Sequence, residues 1–182
     1  MYAEKLTPNE AKNIVEASGL YTYVSSRPEL NGNHDFREHE TIVNVINNKT
    51  NKPAVIILTD FEVSNISDKR IDNYESRFAI LDRSHNARKI NKALVETYVS
   101  KFGEAYVTKA QEHRNHTKKL NEYNINTAKL VLENLNYSEK SAKEIELITT
   151  HQRKIIERYT KYLALEKTLL AELNEAAGQS CR

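Results

Sequence analysis

The residues best suited to chemistry stand together in the run Asn33-His-Asp-Phe-Arg-Glu-His-Glu40. On a helix, His34 and Glu38 share a face, as do Asp35 and His39, each pair four residues apart. Imidazole and carboxylate groups in that arrangement are ligands for a divalent cation. Asp60 stands at the end of an apolar run and Glu62 follows it. Acidic residues at a strand end complete a metal-dependent hydrolytic site in many enzymes. His34, Asp35, Glu38, His39 and Asp60 are therefore the candidate metal ligands, and a metal-dependent hydrolase or nuclease is the alternative function. The glutamate-x-lysine strand pattern of many nucleases is missing, because Val63 and Ser64 follow Glu62. Solvated side chains of a surface loop account for the same run without a metal, and no metal or other cofactor is assigned. Glu112 with His113 and His116 forms a smaller group at helical spacing, which reads as a solvated helix face.

The second cluster is basic. Residues 83–119 carry 9 Lys and Arg against 3 Asp and Glu, with three histidines besides. Arg83, Arg88, Lys89 and Lys92 surround the start of one expected helix, at Ser84-His85-Asn86, where exposed N–H groups favour an anion such as phosphate. Lys109, Arg114, Lys118 and Lys119 extend the same charge along the next helix. Tyr98, Tyr106 and Tyr123 are interleaved, and tyrosine rings stack on unpaired bases. The plainer reading is a solvated face over core tyrosines. Outside this stretch the balance is acidic or neutral: residues 1–82 hold 9 basic against 13 acidic groups, and residues 120–182 hold 9 of each. A net charge of only +2 does not imply a nucleic-acid partner by itself.

No motif of a known chemistry is present. The four glycines are isolated, so no phosphate-binding loop exists, and there is no Cys-x-x-Cys, His-Glu-x-x-His or Gly-x-Ser-x-Gly. Cys181 is the single cysteine and cannot form an intrachain disulfide. The chain reads as non-enzymatic, with the cytoplasm as its expected location, since neither a signal-like apolar start nor a membrane-spanning apolar run is seen. Nineteen asparagines, with many lysines, isoleucines and tyrosines, suit an AT-rich genome such as that of a virus or phage, and then the host cytoplasm.

These residues need elements to hold them. Thr7-Pro8-Asn9-Glu10 is a helix start, with Thr7 as cap and Glu10 three residues on; Gly19 is its stop. Leu20–Val24 reads as a strand and Arg27–Asp35 as a loop. Thr41–Ile46 is ambiguous between a strand and the end of a helix starting near Asp35. Ala54–Thr59 is an unbroken apolar run, expected as a central strand buried on both faces. Arg77–Leu81 is a further strand candidate. The expected fold is α+β: a small, mostly antiparallel sheet of three or four strands with an N-terminal helix, followed by a long antiparallel two-helix hairpin.

The hairpin rests on composition. Residues 104–177 contain neither glycine nor proline across 74 positions rich in Lys, Glu, Leu and Ala. The best break is Asn134–Ser138, with Ser138 as the new cap. Each arm would then be about 50 Å long at ~1.5 Å per residue. The second arm carries Ile145, Ile148, Gln152, Ile155, Tyr159, Tyr162, Glu166, Leu169 and Leu173 at alternating spacings of three and four, a heptad seam with two polar interruptions. Ile156, Leu163 and Leu170 run beside it, so the apolar stripe is wider than one partner helix covers. The expected organisation is an α/β head at 1–85, a connecting helix at 86–103, the hairpin at 104–177 and a flexible tail at 178–182. Ile156, Tyr159, Tyr162, Leu163 and Leu170 are the candidate partner-binding residues. The function read from these features is an interaction protein that binds or inhibits a nucleic-acid-processing protein complex. A protein partner comes first, nucleic acid or a homo-oligomeric structural role second, and no membrane is involved.

Overall fold

The computed structural model describes residues 6–31, 38–67 and 77–180. Helix α1 (Pro8–Glu16) begins with a full capping box. The Glu10 N–H donates to Thr7 Oγ1 at 3.2 Å, and the Thr7 N–H donates to the Glu10 carboxylate at 2.8 Å. Two helix-end donors are thereby satisfied. Ala11, Ile14 and Val15 are its buried face. Gly19 follows with φ of +72°, a left-handed geometry that glycine adopts without strain.

Four strands then form an antiparallel sheet in chain order: β1 (Tyr21–Asn31), β2 (Glu38–Asn47), β3 (Lys52–Leu58) and β4 (Val63–Ser67). The β2–β3 turn is built by asparagines. Asn47 Oδ1 accepts the N–H groups of Lys49 and Thr50, and Asn51 takes the left-handed φ of 55°. β3 lies between β2 and β4, and its Ala54, Ile56, Ile57 and Leu58 are buried, as expected of a central strand. β1 is an edge strand. Its pairing shifts at a bulge between Tyr23 and Ser25, where Val24 is exposed, and Pro28 withholds one N–H from the edge.

The remaining elements are helices: α2 (Arg77–Arg83), α3 (His85–Phe102), α4 (Glu104–Glu133) and α5 (Ala142–Ser180). α1 packs on β1 and α3, while α2 and α3 pack on β4. Val43, Val45, Ile56, Leu58 and Val63 of the sheet are buried, as are Ile14 of α1 and Ile90 and Leu94 of α3. The chain divides into two compact units, Met1–Val107 with Leu173–Arg182, and Thr108–Glu172. The second unit is a helical hairpin whose arms, from α4 and α5, pack together.

Several sequence expectations change. Arg77–Leu81 is helical, not a strand; five apolar-rich residues have no readable period, and Ile80 and Leu81 are buried within α2. Arg27–Asn31 belongs to β1 rather than a loop, because its ladder with β2 continues past Pro28. Thr41–Ile46 is strand, and no helix runs through residues 38–47. β4 escapes sequence reading because the register shift opposite Ile57 and Leu58 breaks its alternation. The hairpin turn follows Glu133, yet the cap of α5 is Ser141, not Ser138. The Ser141 N–H and hydroxyl both donate to the Glu144 carboxylate at 2.8 Å, whereas Ser138 bonds to Asn136 Oδ1. α5 continues past residue 177 to Ser180.

Candidate functional site

Of the candidate metal ligands, His34 and Asp35 lie outside the described residues. The backbone of Glu38 and His39 lies on β2, so the helical i, i+4 pairing with which they were read does not apply to that segment. Asp60 sits in the β3–β4 turn among aromatic rings. Its carboxylate accepts a hydrogen bond from the Tyr98 hydroxyl at 3.2 Å, and its carbonyl accepts one from the Tyr106 hydroxyl at 2.9 Å. The turn is held by Thr59, whose Oγ1 accepts the N–H groups of Phe61 and Glu62. Glu62 is buried and ion-paired with Arg77 Nη1 at 2.7 Å. Asn91 Oδ1 of α3 accepts the Val63 N–H, tying α3 to the start of β4. Among the described residues no three His, Cys, Asp or Glu side chains converge as a metal site.

The Asp60 turn packs against stacked rings. Tyr98 stacks on Tyr106 with centroids 5.1 Å apart, and Phe61 stacks on Tyr106 at 6.1 Å. Burial raises the Tyr98 pKa, and the neighbouring Asp60 charge raises it further. Tyr98 and Tyr106 are thus core rings whose faces are taken, and of the three interleaved tyrosines only Tyr123 is exposed.

A shallow groove of about 500 Å³ lies between α1 and α3, lined by Glu10, Asn13, Ile14, Glu96, Thr97 and Lys101 among others. Lys101 Nζ bonds the Glu10 carboxylate at 3.1 Å. Burial alone would raise the Glu10 pKa, but its bonds from Thr7 and Lys101 outweigh burial and lower it. The ion pair leaves Glu96 as the further charge of the lining.

The basic residues fall in both units. Arg83, Arg88, Lys89 and Lys92 belong to the first; Lys109, Arg114, Lys118 and Lys119 belong to the second. Arg83, Lys89, Lys92, Lys109 and Lys119 are exposed, while Arg88 and Lys118 are partly buried. Lys92 lies 3.9 Å from Glu96. Ser84 caps α3 through the Ala87 N–H, which occupies one of the donors expected to meet a phosphate. Arg114 is a different kind of residue. Its side chain is 4% exposed, inside the hairpin, and its Nη1 lies 3.2 Å from Glu166 Oε2, whose side chain is 1% exposed. The polar interruption of the α5 seam is therefore answered by a charge on α4, and Arg114 does not belong to an exposed basic surface.

The hairpin interior uses Ala110, Arg114, Asn121, Ile125 and Ala128 of α4, with Leu165, Glu166 and Leu169 buried on α5. Tyr159 and Tyr162 meet edge-on at 5.5 Å. The proposed partner residues Ile156, Tyr159, Tyr162, Leu163 and Leu170 are each half-buried. The large exposed apolar side chains of this unit lie elsewhere: Leu120 (48%), Tyr123 (67%), Leu130 (56%) and Val131 (39%) on α4, Tyr137 in the turn and Leu147 on α5. At ~100° per residue Leu120, Tyr123 and Leu130 lie on the side of the helix away from Asn121, Ile125 and Ala128, and Val131 borders the covered face. Sequence reading placed the surplus apolar surface on α5 and missed this stripe. The signal was present as Leu120, Tyr123, Thr127 and Leu130 at spacings of three and four, but Lys, Glu and Asn between them hid it. No protein family, curated protein or solved structure matches the chain. Among the described residues no helix is long and apolar enough to cross a membrane.

Proposed function

We propose that the chain is a non-enzymatic protein-interaction protein whose working surface is the outer face of α4 in the helical hairpin. The carrying observation is that α4 has two apolar stripes, of which only the inner one is covered. Leu120, Tyr123 and Leu130, large apolar side chains in contact with water on one helix face, favour docking of a protein surface. Exposed Lys119 lies beside that face, and exposed Lys109 continues its line toward the start of α4. They suit a partner that is acidic or bound to nucleic acid, and Arg83, Lys89 and Lys92 of the first unit offer further phosphate contacts. A partner within a nucleic-acid-processing complex meets both requirements.

A photo-crosslinking residue substituted for Tyr123, and separately for Leu130, tests this in the cells that carry the protein. Protein adducts are expected from both positions and not from a control at exposed Lys154 on α5. The absence of adducts from the α4 positions would overturn the reading.

A further inference from the structure

We infer that the outer face of α4 pairs with the same face of a second copy of this chain, antiparallel, about a two-fold axis near Asn126. This rests on the reading of that face as a protein-docking surface and seats a second copy there, leaving the basic residues of the first unit for an acidic or nucleic-acid-bound partner. In heptad terms Leu120 and Thr127 take one core position of the outer stripe, and Tyr123 and Leu130 take the other. An antiparallel pair sets the first kind of position against the second. One register does so throughout: Leu120 opposes Leu130 of the partner subunit, Tyr123 opposes Thr127 of the partner subunit, and the two-fold repeats both contacts. That register sets leucine on leucine at both ends and gives the large Tyr123 ring the small Thr127 of the partner subunit as its neighbour.

Charge selects the same register. Lys119, Asn126 and Glu133 occupy one flank of the stripe at intervals of seven, and all three are exposed. When the apolar layers are matched as above, the flank of one copy runs beside that of the other. Lys119 then faces Glu133 of the partner subunit, Glu133 faces Lys119 of the partner subunit, and Asn126 meets its own mate at the axis. A parallel pair would not bring these residues together, because it opposes the two different flanks. A polar residue at the axis, with opposite charges at equal distances on either side, is what a self-complementary antiparallel face requires. Tyr137 in the turn is exposed and extends the contact toward the His113 and His116 end of the partner subunit's helix.

Sedimentation and light scattering of the full chain over a concentration series test the inference. The expected result is a reversible monomer–dimer equilibrium that Leu130→Asp abolishes, with helix content and melting temperature of the monomer unchanged. Lys119→Glu and Glu133→Lys should each weaken the dimer, by roughly 3- to 10-fold at low salt, because each creates two like-charge contacts. The double variant should recover wild-type affinity, and an equimolar mixture of the two single variants should form a heterodimer more tightly than either self-associates. A chain that stays monomeric through the millimolar range overturns the inference, as does a dimer indifferent to Leu130→Asp or not restored by the charge swap. If purified protein is monomeric while Tyr123 crosslinks to a different protein in cells, self-pairing fails and the interaction reading stands. If neither occurs, both fail.

Discussion

The Arg114–Glu166 pair shows how much one residue can decide. Each charge loses several kcal/mol of hydration on burial, and the two offset that loss only together. Removing Glu166 by substitution with Ala leaves a guanidinium in the hairpin interior, and should destabilise the protein by about 3–5 kcal/mol in chemical denaturation. Replacing both, as Arg114→Met with Glu166→Leu, should be neutral or stabilising, since apolar side chains of similar volume incur no desolvation cost. Tyr98 makes a second test at this scale. Its folded pKa is raised, by burial first and Asp60 second, so the unfolded chain loses the phenolic proton more readily than the folded one. The stability this contributes is complete below the unfolded value of about 10 and is lost as pH rises from there toward the folded pKa. Tyr98→Phe should flatten the alkaline limb of a melting-temperature profile between about pH 10 and 12.

At the scale of elements, the helix starts carry much of the definition. Ser141 and Glu144 form a reciprocal cap at the hairpin turn, which leaves the first turn of α5 with few orphan donors. The hydrogen bonds from Ser141 hold the exposed Glu144 carboxyl below its usual pKa. Ser141→Ala should cost about 1 kcal/mol and raise hydrogen exchange in the first turn of α5, leaving α4 unchanged. In the first unit Glu10 serves two elements at once, closing the cap of α1 and bonding Lys101 of α3. Its pKa is lowered, so its contribution is present above the unfolded value of about 4.3 and is lost as pH falls through the folded value. Lys101→Met should therefore lower the melting temperature at neutral pH, with a difference that shrinks under acid conditions. At β1, the bulge at Val24 and Pro28 interrupt what would be an 11-residue edge ladder, which guards the sheet against pairing with other strands.

For the molecule as a whole, charge distribution matters more than net charge. Lysines and arginines outnumber acids nine to three at residues 83–119, while the rest of the chain is acidic or balanced. If that segment contacts single-stranded nucleic acid, log affinity should fall against log salt with a slope of about −0.7 per phosphate contact. Reversing Lys89, Lys92, Lys109 and Lys119 should flatten that slope, whereas Arg114, already committed to Glu166, should leave it unchanged after correction for folding. Binding that is independent of salt would exclude the phosphate contact.

Sequence alone determined the features that depend on short-range patterns. The Thr7-Pro8-Asn9-Glu10 cap, the β3 run and the glycine- and proline-free hairpin are all local, and α+β architecture follows from their order. The heptad seam of α5 was legible for the same reason, down to its polar interruption at Glu166. What answers that interruption was not, because Arg114 stands 52 positions away and its type is the same in water as in a core. Tyr98 and Tyr106 read from sequence as either stacking platforms or core rings, and the fold chose the core by closing Phe61 and Asp60 against them. Arg77–Leu81 became helix because burial, not period, decides so short a run. The outer stripe of α4 was written in the sequence as spacing, yet only packing could show which of its two apolar faces the hairpin covers and which it leaves to water. Local chemistry specifies what an element can be; tertiary contacts decide which of its faces remains for a partner.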